Sequence, residues 1–411
     1  MNLAPAERIG RISCPDCGLA QKLPAVPRHS VADCARCGGT LLRRIPGGID
    51  AALALALAAA LLLMPANFLP LMTVSFEGAE RQNLTISGMT SLWDTGYPSL
   101  GLVVGAFSVA APALWLAALV PALILVAHGG RPRWLGWLFR QAEWLRPWAM
   151  IEVYLLGSLV AYTRIRDVAS VEISTGGWCF IAFALTILAI DAVLDRRVVW
   201  RAIGPDQMAG TDTGDAIDCL GCGLIAPIDA EHGFCPRCAA RLHRRKPHSF
   251  TRTAALTAAA FFLYVLANIL PILSIVRFGR AEPSTIFSGV RELVEGGLWP
   301  LAIIVFLASI AVPLIKLTGL TWFLLAIRRG FTQQVRARTR LYRFIEGIGR
   351  WSNIDVFMIS ILTSLVQFGT LTRVEAEPGA VAFAAVVLLT MLASRSFDAR
   401  LMWDLVEGGH E

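Results

Sequence analysis

Asp50 to Met72 read DAALALALAAALLLMPANFLPLM, and Ala254 to Ile275 read AALTAAAFFLYVLANILPILSI. At about 1.5 Å per residue each run is long enough to cross a hydrocarbon core of about 30 Å, and after Asp50 neither carries a charge. Both close on Asn-x-Leu-Pro, at Asn67 to Pro70 and at Asn268 to Pro271. Working outward, the agreement continues at a nearly constant offset. Ile86-Ser87-Gly88 answers Phe287-Ser288-Gly289, and Pro112 answers Pro313. Ile151-Glu152-Val153 answers Ile354-Asp355-Val356, and Asp195, Arg197 and Trp200 answer Asp398, Arg400 and Trp403. The chain is a duplicated unit.

A mean hydropathy of +0.59, with 55% hydrophobic and only 16% charged residues, sets the 411-residue chain apart from soluble globular proteins. Spans are expected at 50–72, 99–127, 148–164 and 177–194, and again at 254–275, 298–327, 354–371 and 379–394. No cleavable signal peptide is expected, because a polar, cysteine-containing head precedes the first apolar run. With that head in the cytoplasm, the outer loops hold only Arg81, Arg164, Arg166, Arg277, Arg280, Arg291 and Arg373, and Lys316 lies within a span. The rest of the 37 Lys and Arg fall inside, a one-sided bias that orients the chain. Topology and anionic headgroups therefore account for the net charge of +7, and no nucleic acid is expected as a partner. Four spans per unit is even, which predicts parallel repeats.

Eight of the nine cysteines stand in C-x2-C pairs ahead of the two apolar regions: Cys14, Cys17, Cys34 and Cys37, then Cys219, Cys222, Cys235 and Cys238. In a reducing compartment such pairs are metal knuckles before they are disulfides. Four thiolates with no open position describe a closed structural zinc site, so two zinc ions are expected, one per head. An iron site with the same ligands and a redox-active dithiol remain as alternatives. Cys179, alone in a span, reads as a small buried hydrophobe. The expected fold is an all-α polytopic membrane protein: two parallel repeats of four transmembrane helices, each preceded by a small four-cysteine zinc ribbon. The units are ribbon 1–48, bundle 49–200, ribbon 201–248, bundle 249–405 and a C-terminal tail, 406–411.

Within the spans, Asn67 with Pro70 and Asn268 with Pro271 read either as structural kinks or as a flexible gate at the outer mouth. After them, Ile286, Phe287, Val290, Leu293 and Val294 are expected on one face of a short amphipathic helix, as are Met89, Leu92 and Trp93 in the first repeat. Lys316 is the costliest side chain in the chain, and its first-repeat counterpart is Trp115. It reads as snorkelling, or as paired with Asp355 in a polar core completed by Ser360, Thr363, Ser364, Thr390 and Ser394, with Glu152 and Asp191 as further acids. Such a pair would carry or gate a proton.

The duplicated ribbons, the Asn-x-Leu-Pro motif, the Ser-Gly start of the outer helix, the opening of span three and Phe397-Asp398-x-Arg400-x-x-Trp403 together resemble the paraquat-inducible protein A (PqiA/LetA-like) family of bacterial inner-membrane proteins, over the whole chain. The resemblance implies work beside a periplasmic MCE-domain tunnel protein, and hence the movement or loading of membrane lipids between the two membranes. No motif is catalytic, so no enzyme is expected, and no phosphate-binding loop of Walker type occurs, so direct use of ATP is not expected. A non-transporting membrane scaffold and a cysteine-based redox-responsive protein are the other readings.

Overall fold

A computed structural model of the chain describes residues 11–23, 26–27, 30–43, 48–76, 79–166, 169–208, 211, 216–277, 280–367 and 372–407. Residues 1–10 of the expected first ribbon, 368–371 of the expected seventh span and 408–411 of the expected tail lie outside them.

Among the described residues each half holds seven helices. The first half has α1 (Gly48–Phe68), α2 (Ser87–Asp94), α3 (Pro98–Ala127), α4 (Leu135–Leu145), α5 (Ile151–Arg166), α6 (Thr175–Val193) and α7 (Arg196–Ile203). The second half has α8 (Ser249–Ile269), α9 (Ile286–Glu295), α10 (Trp299–Arg328), α11 (Val335–Ile348), α12 (Ile354–Leu365), α13 (Pro378–Ser396) and α14 (Leu401–Glu407). Six helices are long and apolar enough to cross a membrane: α1, α3, α6, α8, α10 and the one beginning at Pro378. Expected spans three and seven became α5 and α12, of 16 and 12 residues. At about 24 and 18 Å they fall short of the hydrocarbon thickness.

These two short helices form the centre of the molecule. Nearly every residue of α12 is buried. At Gly157 of α5 a Cβ would come 3.0 Å from Phe357 Cβ and 3.2 Å from Ile354 O, so the missing side chain is what lets the two helices touch. A helix encased in protein need not match the lipid thickness with its own length. The short α2 lies against α12 of the other half, with Ser91 Oγ donating to Thr363 O at 2.8 Å, while Arg164 of α5 donates to Gly289 O of α9 at 3.2 Å. In α9 the structure buries Ile286 and Leu293 but leaves Phe287 exposed, correcting its expected place. Adjacent helical residues point about 100° apart, so Ile286 and Phe287 cannot share a face.

The all-α expectation also needs correction. Strands β1 (Arg11–Ser13) to β4 (Thr40–Arg43), and later β8 (Ala216–Asp218) with β9 (Ile225–Pro227), make the hairpins of the cysteine-bearing heads. At the opposite end of the helices, β5 (Met72–Phe76), β6 (Ala79–Asn83) and β7 (Ser170–Ile173) form an antiparallel sheet in the order β6-β5-β7. Strands β10 (Leu273–Arg277), β11 (Arg280–Ser284) and β12 (Thr372–Ala376) repeat it. Spans one and five therefore end at Phe68 and Ile269, because Pro70 and Pro271 cannot continue a helix and alternating residues follow them. In α3 and α10 the helix widens to π turns at Ala106–Ala110 and Leu307–Ala311, just before Pro112 and Pro313. The cysteine-bearing heads mark one end of the molecule and the two sheets the other. Helix α5 joins these ends, leaving the turn after α4 beside the heads and entering β7.

Candidate metal centres and buried charges

Each head brings its four thiols together, all eight buried, with the sulfurs of each cluster within 4.8 Å of one another. Cys14 and Cys37 Sγ are 3.5 Å apart and Cys17 and Cys34 Sγ 3.6 Å; Cys219 and Cys238 are 3.5 Å apart and Cys222 and Cys235 3.6 Å. Four thiolates bound at about 2.3 Å to one tetrahedral ion lie about 3.8 Å from each other, so each cluster fits such an ion. The knuckles repeat in detail. Gly18, Gly38, Gly223 and Ala239 each donate their N–H to the carbonyl of the knuckle's first cysteine, at 2.8–2.9 Å. All four have positive φ, and at Ala239 (φ 56°) that left-handed turn is made without glycine. Hydrogen bonds from neighbouring thiols, Cys17 first for Cys14 and Cys219 first for Cys222, hold these two thiols below the usual thiol range and favour thiolate.

The heads are crossed. The first packs against α11 and α14 of the second half: Arg343 donates to Cys37 O at 2.8 Å and Gly38 O at 3.1 Å, and Arg36 stacks over Trp403 at 4.4 Å. The second packs against α4 and α7 of the first half, where Arg237, the counterpart of Arg36, lies 5.5 Å over Trp200, the counterpart of Trp403. Arg237 also bonds Cys222 O, and at Gly136 of α4 a Cβ would come 1.7 Å from Arg237 O. Asp195 caps α7 by accepting from Arg197 N at 2.9 Å. Asp398 accepts from Arg400 N and from Lys246 N, and Arg400 reaches across to Asp218 at 2.9 Å.

The polar residues expected at one intramembrane site occupy several. Lys316, wholly buried, donates from Nζ to Gly349 O and Thr390 Oγ1, both at 3.1 Å. It neither reaches the surface nor pairs with Asp355: among the described residues neither is in an ion pair with the other. Lys316 extends toward the end that carries the heads. The Asp355 carboxylate instead faces Arg164 and Ser309, nearer the sheets, and its buried oxygens lie outside normal hydrogen-bond geometry with both. Glu152 and Asp191 share a cation of their own, Arg146, whose Nε lies 2.9 Å from Asp191 Oδ1 and whose Nη2 bonds Glu152. Ser364 donates to Asn83 Oδ1 at 3.0 Å, and Ser394 and Thr363 bond carbonyls within their own helices. Ser360 Oγ lies 2.0 Å from where a Cβ on Gly88 would stand, so Gly88 permits that contact. Asn67 and Asn268 act alike, donating from Nδ2 at 2.8 Å to the carbonyl four residues back, Leu63 O and Tyr264 O, in the last turn of their helices. Pro70 and Pro271 follow the helix ends and abut Gly176 and Gly379, where a Cβ would come 2.3–2.5 Å from their carbonyls.

Sequence reasoning missed Arg146, Arg164 and Ser309. Arg146 stood in the basic stretch between spans two and three. The signal that separates it is Arg146-Pro147-Trp148 shortly before Ile151-Glu152, which places an arginine six residues ahead of an acid at the entry to the bundle.

The paraquat-inducible protein A family matches residues 49–204 and 250–407, one stretch in each half. The chain is 32% identical over 405 residues to the intermembrane transport protein PqiA of Escherichia coli K12, covering 96% of this chain and 95% of that one. It is also 32% identical over 405 residues to the lipophilic envelope-spanning tunnel protein A of the same organism, covering 97% of this chain and 92% of that one. To a probable intermembrane transport protein of Haemophilus influenzae it is 26% identical over 409 residues, 96% of each. No solved structure matches. With its six long apolar helices and paired four-cysteine clusters, the chain is a multi-pass membrane protein that belongs to the paraquat-inducible protein A family.

Proposed function

We propose that the protein is the inner-membrane component of an intermembrane lipid transport system, which moves or loads lipids for a periplasmic MCE-domain tunnel protein and supports envelope integrity. The observation that carries this reading is similarity over nearly the full length to proteins named for intermembrane transport and for an envelope-spanning tunnel. In this reading α5 and α12 complete eight crossings in two parallel repeats, since each runs from the heads to the sheets. Both heads and both termini are cytoplasmic, where the basic residues cluster. The heads hold zinc as structural sites, in keeping with four buried thiols in each. The units keep the boundaries 1–48, 49–200, 201–248, 249–405 and 406–411. No catalysis is assigned, and the buried charges serve the transport cycle through a proton, with Lys316 in the second half as the working group. A redox role fits less well, because oxidation needs access and none of the eight thiols is more than 8% exposed.

Purifying the protein in native-lipid particles tests the proposal. Phospholipid and a periplasmic MCE-domain protein are expected to co-purify, and the pair to move labelled lipid between vesicles. A chain that binds its partner firmly yet moves no lipid is a scaffold, and that result overturns the transport reading.

A further inference from the structure

At the end that carries the heads, a cleft of about 350 Å³ lies between the halves, beside one of about 250 Å³ that shares Arg146, Asp191 and Arg196 with it. Four arginines line the larger cleft, Arg146 and Arg196 from the first half and Arg343 and Arg395 from the second, against two acids, Asp191 and Glu346. Two of these cations are already engaged: Arg146 holds Glu152 and Asp191, and Arg343 holds the first head. The other two are held more loosely. Arg395 has no ion pair among the described residues; its guanidinium lies 5.0 Å over the Trp148 ring, with Nη2 3.5 Å from Trp144 O. Arg196, its side chain 55% exposed, is in a long ion pair with Glu143 at 3.9 Å. Burial pushes the Glu346 carboxyl up, with Lys246 and Arg395 pulling it back, which weakens the acid's claim on Arg395.

The surroundings fix the class of ligand. The smaller cleft is lined by α4 and the larger by α11, and exposed aromatics stand on and beside both helices, Trp134, Trp137 and Trp144 at one and Phe344 and Trp351 at the other. Exposed aromatics on amphipathic helices mark the depth of lipid headgroups. Two loosely held guanidinium groups at that depth, on opposite halves, match a phosphate diester with net negative charge better than one whose charge is offset by a choline or ethanolamine cation.

We propose that this cleft binds the phosphate of an anionic phospholipid from the adjoining leaflet, with Arg395 and Arg196 as its cationic contacts. The site deepens the transport reading by naming the class of lipid and its place of entry, and it rests on that reading only for its purpose. A ligand held by both arginines bridges the two halves, so its arrival and departure bear on how they sit together.

Native mass spectrometry of the full chain in nanodiscs of mixed phosphatidylglycerol and phosphatidylcholine tests it. Wild type should retain phosphatidylglycerol selectively. Arg395→Gln and Arg196→Gln should each cut that selectivity by about tenfold, the loss of one charge-assisted contact. Arg395→Lys, which keeps the charge without the planar fork, should lose less than Arg395→Gln, and Glu346→Gln should raise it. Arg340→Gln, on the exposed face of α11, controls for diffuse attraction: an equal loss there, or none in Arg395→Gln, overturns the site. If Arg395→Gln is not recovered folded, Arg196→Gln and Arg395→Lys decide. Glycerol phosphate is the competitor. If it displaces the lipid at matched concentration, the cleft serves a soluble phosphate ester and the lipid proposal fails. Selective retention in a protein that transfers no lipid keeps the site and sinks the transport reading, so the two failures are distinct.

Discussion

The halves put a buried cation in the same place by different routes. In the first, Trp115 of α3 lies under the guanidinium of Arg146, with 5.2 Å between them. In the second, the Trp115 position holds Lys316 and the Arg146 position holds Gly349, whose carbonyl accepts from Lys316 Nζ. A Cβ on Gly349 would lie 3.1 Å from Lys316 Cε, so the glycine makes room for the lysine. The acids diverge as well: Glu152 and Asp191 become Asp355 and Ser394. In the first half one arginine is closed by two carboxylates, an arrangement that holds structure. In the second, a lysine has only a carbonyl and a hydroxyl, and a carboxylate stands apart from it. Unclosed charges of that kind weaken the fold, which is what makes Lys316 the candidate working group of the proposed cycle.

The largest test of this contrast is Arg146→Ala, which strands two carboxylates and should cost about 3–5 kcal/mol of stability, read from thermal unfolding in nanodiscs. Arg146→Gly with Trp115→Lys, which copies the second half, should recover part of that loss. No recovery would mean that the halves are not built on one plan. Lys316→Met should behave oppositely, changing stability by no more than about 2 kcal/mol while abolishing transport at normal abundance. Because Lys316 and Asp355 do not pair, a double-mutant cycle between them should show coupling below about 0.5 kcal/mol; a large coupling would restore the ion pair that the sequence suggested.

A smaller effect is set by Glu143 of α4, whose counterpart in α11 is Glu346. Burial pushes the Glu143 carboxyl up to about 7, with Arg196 and the Trp200 indole opposing. A raised folded pKa gives stability that is fully present below the ordinary value of 4.5 and is lost as pH rises through about 7. Glu143→Gln should flatten the melting profile across that window, by on the order of 1 kcal/mol, and an unchanged slope would remove Glu143 as its cause. The smallest effect compares the heads. Ala239 sits where Gly18, Gly38 and Gly223 stand, so Ala239→Gly should stabilise the metal-loaded second head by about 0.5–1 kcal/mol in a chelator titration, whereas Gly38→Ala should weaken the first.

Much of this was legible in the sequence. Long uncharged runs announce membrane helices, so the ends of α3, α6, α10 and α13 fall within a few residues of expectation. Cysteine spacing likewise determines which thiols meet, because each C-x2-C turn is local. Lys316 stood out from its own cost. Its partners did not, since a lysine reaches several helices and hydropathy orders none of them. The sheets were hidden because MTVSF and LSIVR are short and directly follow long apolar runs, so that Met72 and Leu273 to Ile275 read as the ends of spans.

The sequence by itself determined the duplication, the cysteine clusters, the long apolar helices and their family, all properties of local pattern and composition. Tertiary structure alone decided that each head docks on the other half, that α5 and α12 pair at the centre, and that Arg146, not Lys316, meets the acids. Those outcomes depend on which surfaces meet across the boundary between halves. A duplicated sequence offers every surface two equivalent partners, and only packing chooses between them.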